Sequence, residues 1–180
     1  MRLFIGIPLA SEVINALQRL VRSLQSAGDN LRWSSPETWH ITLQFLGATS
    51  LENYGCVVQH LGRIQSPAAP IWLHETDCFD RAGVFFAAVN VSPELRQLEK
   101  LVVGATSQCG VAAEDRPYHP HVTLARAKGD NRARALRQLK SRVKLEVEFP
   151  PFTAREFLLY ESFLGSDAVR HEVRERFPLG

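Results

Sequence analysis

The chain repeats part of its own sequence, and this repeat strongly limits the folds that it can adopt. Residues 40–43 read His-Ile-Thr-Leu, and residues 121–124 read His-Val-Thr-Leu. The segments before these tetrads align as well, in the pairs Ile7 with Val89, Glu12 with Glu94, and Gly28 with Gly110. Two copies of such a long unit are too few for a solenoid. We therefore expect two similar lobes that face each other across a pseudo-two-fold axis, which would bring the two tetrads together.

Each half of the chain predicts the same order of elements, namely a strand, a helix and then a strand that contains the histidine. Apolar runs with many β-branched residues indicate strands, and apolar residues at helical spacing indicate helices. The predicted strands are 2–9, 40–46, 71–79, 83–91, 121–127, 144–149 and 152–164, with a short edge strand in the tail. The predicted helices begin at Ser11 and Pro93 and cover 50–65 and 131–142. We expect residues 1–180 to form one domain made of two interleaved lobes.

The histidine and the threonine of each tetrad should point to the same side of a strand, because side chains alternate between its two faces. Two facing lobes would then place two imidazoles and two hydroxyls around one cavity. This set contains no carboxylate pair, no cysteine nucleophile and no set of metal ligands. It offers one general base, one general acid and two neutral hydrogen-bond partners. That combination suits a phosphodiester, whose departing alkoxide needs a proton and whose non-bridging oxygens accept hydrogen bonds.

The composition is that of an ordinary folded protein, with 45% hydrophobic residues, 22% charged residues and a net charge of +2. So slight a charge neither proves nor excludes a polyanionic partner. The three cysteines are odd in number and lie far apart, which argues against a disulfide scaffold or a zinc knuckle and suits a reducing cytosol. No signal peptide and no apolar run of the roughly 18 residues that a membrane span needs is evident. We therefore expect a cytoplasmic protein without membrane contact.

Two motifs in this order resemble the signature of the two-histidine (2H) phosphoesterase superfamily. They are HITLQFLG at 40–47 and HVTLAR at 121–126. Within that superfamily, the chain resembles the LigT-type RNA 2′,3′-cyclic phosphodiesterases of bacteria and archaea, historically called 2′-5′ RNA ligases. The resemblance extends over nearly the whole chain, from RLFIGIPL at 2–9 to LLYES at 158–162.

The resemblance implies an α+β fold with two lobes, in which two antiparallel β-sheets face each other across a central cleft and the helices lie outside. It also implies hydrolysis of a 2′,3′-cyclic phosphate to a 2′-phosphate, with no metal ion and no cofactor. By motif match, His40 and His121 are the catalytic pair, and Thr42 and Thr123 bind the phosphate. Arg126 matches an arginine that the family associates with phosphate binding, although strict alternation would turn it away from His121. The resemblance further suggests His121 as the general base and His40 as the general acid.

The expected substrate is RNA that ends in a 2′,3′-cyclic phosphate, or a cyclic nucleotide, and the chain is expected to act as a monomer. Two other functions stay open. One is that of a 2′-5′ RNA ligase, which would act on tRNA halves by running the same chemistry backwards. The other is that of a module that binds an RNA end or a nucleotide without turnover. Binding alone, however, would not require a proton donor and a proton acceptor.

Several further residues are candidates for the cleft, but each has a plainer structural interpretation. His119 is expected in a loop rather than as a third catalytic residue, and His60 and His74 are expected at the surface or partly buried. His171 is expected at the surface, with a place in the cleft wall as the alternative. His171 stands where relatives often carry a tyrosine, so no role is transferred to it. Most large aromatic residues are expected in the core, with at least one near the cleft mouth stacking a nucleobase; the candidates are Trp33, Trp39, Phe45, Tyr118 and Tyr160. The basic segment 128–144 is interpreted as a solvated helix face or, alternatively, as a patch that binds the RNA backbone.

Overall fold

The two halves of the chain follow the predicted order of elements closely. The computed structural model describes residues 1–143, 148–165 and 169–180. The first half contains β1 (Arg2–Pro8), α1 (Ser11–Leu24), β2 (Leu31–Trp33), a short 3₁₀ turn (Pro36–Thr38), β3 (His40–Ala48) and α2 (Leu51–Leu61). The second half contains β4 (Ala69–Ile71), β5 (Leu73–Phe79), β6 (Val84–Val89), α3 (Pro93–Ser107), β7 (His121–Ala127), α4 (Arg132–Lys140), β8 (Phe152–Ala154), β9 (Glu156–Leu164) and β10 (Val169–Pro178). The predicted strand at 144–149 lies largely outside the described residues.

The first three helices form because of local sequence features, namely apolar residues at helical spacing and serine N-caps. α1 places an apolar face against the core, because its buried residues recur at helical spacing. α2 and α3 each begin after a serine whose hydroxyl accepts a hydrogen bond from a backbone N–H in the first turn: Ser50 accepts from Asn53, and Ser92 accepts from Leu95. Among the described residues, no helix combines the length and the apolar character that crossing a bilayer would require.

Two four-stranded antiparallel sheets form the two lobes. The first sheet has the strand order β10-β9-β1-β3, and the second has the order β2-β7-β6-β5. The motif strands occupy corresponding places, because β3 pairs with β1 as β7 pairs with β6. The predicted bilobal α+β fold with an internal repeat is therefore confirmed.

Strands from one half of the chain complete the sheet of the other half. β2 comes from the first half but pairs with β7 in the second sheet. β9 and β10 come from the C-terminal end, and they extend the first sheet beyond β1. β10 is an edge strand, as predicted, although it is ten residues long rather than short. Each sheet therefore depends on both halves of the chain.

Two of the predicted strands are wrong as single elements. The segment 71–79 is divided at Trp72 between β4 and β5, and the segment 152–164 is divided at Arg155 between β8 and β9. β4 and β8 pair with each other in a separate two-stranded sheet. The alternating pattern continues through the first break, and a continuous apolar run follows the second, so neither pattern reveals that the pairing partner changes.

The sequence argument against a disulfide is also wrong. Cys56 in α2 and Cys109 just beyond α3 form a disulfide, with their Cα atoms 5.8 Å apart. Cys78 is the free cysteine. The two bonded residues are separated by 53 positions in the sequence, and only the packing of α2 against α3 brings them together.

Candidate active site

The histidine and threonine side chains of both motifs lie on the same side of their strands, as the spacing predicts. All four are partly exposed, whereas the residues between them, Ile41 and Val122, are completely buried. β3 and β7 are also in contact with each other. Because a positive charge on His121 lowers the pKa of His40, the two imidazoles are close enough to influence each other's charge. The fold therefore brings the two motifs into one cleft.

Both imidazoles are held in the same orientation by a backbone carbonyl two residues earlier. The Nδ1 atom of His40 donates to the carbonyl oxygen of Thr38, and that of His121 donates to the carbonyl oxygen of His119, each over 2.7 Å. In a neutral ring this leaves Nε2 unprotonated and able to accept a proton. Nε2 of His40 lies 3.1 Å from the hydroxyl oxygen of Thr42, from which it accepts a hydrogen bond. The sequence interpretation missed these carbonyls, because a backbone group carries no residue signal.

A hydrogen bond ties the segment before the second motif to the first motif strand. The hydroxyl of Tyr118 donates to the carbonyl oxygen of Thr42 over 3.3 Å. Burial raises the pKa of this phenol well above its usual value, so it stays protonated as a donor. Tyr118 is partly buried, and its hydrogen bond to Thr42 links the two lobes at the cleft.

A β-bulge in each motif strand explains the placement of Arg126. Against β6, Thr123 pairs with Phe86 and Ala125 pairs with Phe85, so Leu124 is the extra residue. Leu124 and Ala125 are both buried, and the next residue, Arg126, is exposed. The bulge therefore turns Arg126 back to the face of His121, whose pKa its charge helps to lower. Because the bulge interrupts the strict alternation of side chains, Arg126 can approach the cleft as expected.

Phe45 is the counterpart of Arg126 in the first lobe. Against β1, Thr42 pairs with Gly6 and Gln44 pairs with Ile5, so Leu43 is bulged as Leu124 is. Phe45 is 58% exposed, so it departs from the core position expected of most of the aromatic candidates. Its ring lies 6.1 Å from that of Phe4, which is itself 4.5 Å from the ring of His40, so Phe45 presents an exposed aromatic surface near the first motif. The other aromatic candidates are buried or partly buried, as expected: Trp33, Trp39, Tyr118 and Tyr160.

Aromatic rings surround each histidine, but the two sets differ. The ring of His40 lies 4.5 Å from that of Phe4 and 5.7 Å from that of Tyr160, measured between centroids. The ring of His121 lies 5.1 Å from the rings of Phe79 and Phe86. These neighbours limit the contact of both imidazoles with water.

His171 is a part of the cleft wall, which was the alternative to the surface position that the sequence favoured. Its ring is partly buried and meets the ring of His40 edge-on, with centroids 5.3 Å apart. It also lies 4.8 Å from the ring of Phe4. β10 brings it there by pairing with β9, next to β1, and this long-range pairing leaves no local signal in the sequence. The other histidines agree with expectation, since His119 and His74 are exposed and His60 is partly exposed.

Gly6 gives the His40 imidazole its space. A Cβ atom at this position would stand 2.9 Å from the carbonyl oxygen of Ile41 and 3.3 Å from Cδ2 of His40. The distance of 2.9 Å is shorter than real Cβ contacts allow. The carbonyl oxygen of Ile41 cannot move away easily, because it belongs to the backbone of β3, which pairs with β1. Any larger residue would therefore displace β3 or the imidazole, so the glycine is required by close approach.

Burial keeps both histidines neutral in the free protein. It lowers the pKa of His40 from 6.5 to about 4, with smaller contributions from the charges of His171 and His121. It also lowers the pKa of His121, where the charge of Arg126 adds to the effect. At pH 7 both rings can therefore accept a proton, but neither carries one to donate until a negative charge enters the cleft.

Some basic side chains of the segment 128–144 form ion pairs within the protein. Arg142 pairs with Asp29 over 2.7 Å, and Lys140 pairs with Asp77 over 2.6 Å. The arginines of α4 at positions 132, 134 and 137 are exposed. The solvated-face interpretation therefore suits part of the segment, and the exposed arginines stay available to a polyanion.

Comparison with known proteins identifies the family. The sequence profile of the 2′-5′ RNA ligase superfamily matches residues 8–162, which is most of the chain and includes both motifs. The chain belongs to the 2′-5′ RNA ligase superfamily. Its predicted membership, made from the two motifs, is thus confirmed.

Several relatives within this superfamily are RNA 2′,3′-cyclic phosphodiesterases. The protein of Escherichia coli is 26% identical, over 99% of this chain and 96% of that protein. The protein of Thermus thermophilus is 33% identical, over 71% of this chain and 69% of that protein. The protein of Geobacillus stearothermophilus is 27% identical over 98% of this chain, which spans only 56% of that relative's length.

Solved structures support the superfamily fold. The apo form of E. coli LigT superposes with a TM-score of 0.81 at 25% identity, over 99% of this chain and 96% of that one. E. coli LigT in complex with 3′-AMP superposes with a TM-score of 0.83 at 24% identity, over 99% of this chain and 97% of that one.

Proposed function

We propose that this chain is an RNA 2′,3′-cyclic phosphodiesterase, which hydrolyses the cyclic phosphate at an RNA end to a 2′-phosphomonoester. One observation carries the proposal: two imidazoles share a cleft, and each is anchored through Nδ1, which leaves Nε2 as the nitrogen that can transfer a proton. The E. coli, Thermus and Geobacillus relatives are RNA 2′,3′-cyclic phosphodiesterases, and this supports the same substrate class.

In the proposed reaction, a water molecule attacks phosphorus and O3′ leaves. Nε2 of His121 accepts a proton from the water, and Nε2 of His40 donates a proton to O3′. Base and acid must stand on opposite sides of phosphorus for in-line displacement, and one histidine from each lobe suits that requirement. The hydroxyls of Thr42 and Thr123 and the guanidinium of Arg126 would stabilise the negative charge on the non-bridging oxygens.

Binding of the substrate would itself protonate His40, the general acid. His40 is neutral in the free protein, since its pKa lies at about 4. A phosphodiester carries a negative charge, and an opposite charge within a few ångströms raises the pKa of an imidazole. Binding would therefore protonate His40 where the proton is needed, and an empty cleft would hold little of the active protonation state.

We also propose that residues 1–180 act as one domain and as a monomer, because one chain supplies both histidines and each sheet uses strands from both halves. The partner is RNA with a 2′,3′-cyclic phosphate end, or a cyclic nucleotide. Such a substrate favours a cytoplasmic location.

Phe45 is the aromatic side chain that we propose as the nucleobase platform. Replacing Phe45 with alanine should raise the KM for a cyclic-ended oligonucleotide by about 5- to 150-fold with little change in kcat, because base stacking contributes ~1–3 kcal/mol. Phe45→Trp should stay close to the wild type. Leu51→Ala is the matched control, since Leu51 is exposed and apolar but lies in α2. An unchanged KM for Phe45→Ala would remove Phe45 from the substrate site.

A single hydrolysis assay tests the proposed function. An oligonucleotide with a 2′,3′-cyclic end should yield a 2′-phosphate end at an unchanged rate in excess EDTA, because the acid–base groups need no metal ion. His74→Ala, which alters an exposed histidine, should behave like the wild type. Formation of a 2′-5′ linkage from two RNA pieces would instead favour the ligase, and tight binding without turnover would favour the binding module. Loss of activity in EDTA with recovery in Mg²⁺ or Zn²⁺ would contradict the mechanism.

A further inference from the structure

Two cysteines and a histidine form a cluster between α2 and α3, apart from the cleft residues. Cys56 and His60 are one helical turn apart on α2, and Cys109 lies just after the end of α3. The two Sγ atoms and the nearest imidazole nitrogen of His60 all lie within 4.8 Å of one another. Within the parts of the chain that the structure describes, this is the group of histidine, cysteine and acidic side chains that is close enough to hold a metal ion.

We propose that the reduced chain binds one thiophilic metal ion here, with Zn²⁺ as the reference ion, through Cys56, Cys109 and His60. Two thiolates and one imidazole are a ligand set that zinc adopts in proteins, with a water molecule in the fourth position. Tetrahedral zinc with Zn–S bonds of about 2.3 Å needs sulfur atoms about 3.8 Å apart. Reduction frees the two sulfurs to separate by that amount through side-chain rotation, since the Cα atoms are already 5.8 Å apart.

The burial and the chemistry of the three side chains favour a soft metal cation over a hard one. Val57 and Leu61 in α2 are completely buried, so Cys56 and His60 lie at the border of the apolar face of the helix. Cys109 is 8% exposed, whereas Cys56 and His60 are partly exposed and leave a path for the ion. Two thiolates neutralise the charge of a divalent ion, and thiolate ligands select zinc or cuprous copper over magnesium or calcium.

Metal binding and the disulfide exclude each other, because both use the same two sulfur atoms. A dithiol reductant gives two electrons and two protons to the S–S bond, and the resulting thiols lose those protons when they bind the metal. Hydrogen peroxide reverses the process: the two thiolates lose two electrons and form the S–S bond, the O–O bond breaks, and two protons complete two water molecules. The ion is then released, since His60 alone does not hold it.

Titration of the reduced, metal-free chain with Co²⁺ and then Zn²⁺ under anaerobic conditions tests the proposal. The wild type should bind one ion per chain, show the charge-transfer absorption of a cobalt–thiolate bond, and lose this signal when Zn²⁺ displaces Co²⁺. Cys56→Ser should abolish the signal, and His60→Gln should weaken Zn²⁺ binding by at least about tenfold. Cys78→Ser and His74→Gln are matched controls, because they alter a free cysteine and an exposed histidine elsewhere, and both should bind as the wild type does.

Three results would overturn the proposal. The first is a reduced wild type that retains no metal, which would leave Cys56 and Cys109 as a disulfide pair only. The second is unchanged Zn²⁺ affinity in His60→Gln, and the third is equal binding by the oxidised chain. Thermal melts of the metal-free variants show whether each one folds, so loss of binding is not confused with unfolding. Hydrolysis assays are not needed for any of these outcomes, so this proposal can fail independently of the proposed function.

Discussion

Replacing His40 or His121 with alanine should lower the turnover of a 2′,3′-cyclic-ended oligonucleotide by about 10²–10⁴-fold, because each change removes one proton-transfer group. The fold should survive, since both side chains are partly exposed at the cleft. Single-turnover rates of the two variants, with circular dichroism as the folding control, give the measurement. Turnover at the wild-type rate in either variant would remove that histidine from the mechanism.

The leaving group distinguishes the two histidines. A substrate with an activated leaving group needs little protonation, so it should rescue His40→Ala far better than His121→Ala. Rescue of His121→Ala instead would reverse the assignment of acid and base. Rescue of neither variant would argue against the acid–base scheme as a whole.

The pH dependence follows from the lowered pKa values of the two histidines. Activity requires one protonated and one neutral imidazole, and this state is most populated between the two pKa values. Both lie below 6.5 in the free protein, with that of His40 at about 4, so kcat/KM should peak below pH 6.5. The phosphate of the bound substrate raises both values, so kcat should peak at a higher pH than kcat/KM. Equal pH optima for kcat and kcat/KM would show that the bound substrate does not raise the pKa of His40.

Replacing Thr42 or Thr123 with alanine should lower turnover by about 10- to 1,000-fold, because each change removes a hydrogen-bond donor to the charge that develops on phosphate oxygens. Thr42→Ala should have the larger effect, since the Thr42 hydroxyl oxygen also lies 3.1 Å from Nε2 of His40 and helps to hold that ring in place. Rate constants measured at saturating substrate would report this difference.

Serine and valine variants separate the hydroxyl from the shape of the side chain. Thr→Ser keeps the hydroxyl and should retain most of the activity at either position. Thr→Val keeps the shape and should resemble the alanine variant. Full activity in both alanine variants would mean that the hydroxyls only support the structure.

Local pattern was enough to predict most of the elements and the histidine–threonine pairs of the two motifs. His and Thr two positions apart share a face of a strand, and the buried residues between them face the core; β3 and β7 both follow this rule. Internal similarity between the halves also predicted two lobes with corresponding strands. These features depend on the pleat of a strand and on the turn of a helix, which neighbouring residues determine by themselves.

Contacts between distant segments were beyond the reach of the sequence. The bulges that turn Arg126 and Phe45 to the cleft depend on how β7 pairs with β6 and β3 with β1. β10 carries His171 to His40 by pairing with β9, and the packing of α2 on α3 joins Cys56 to Cys109.

The protonation of the cleft was likewise decided by the tertiary structure. An unburied histidine has a pKa near neutrality, which allows one acid and one base to coexist. Rings from β1, β9 and β10 close around His40 and exclude water from it, so its pKa falls to about 4. The sequence determined that each histidine would share a strand face with its threonine, because strand periodicity is local. Burial by distant strands determined the charge of the histidines, because desolvation depends on every group that displaces water from the ring.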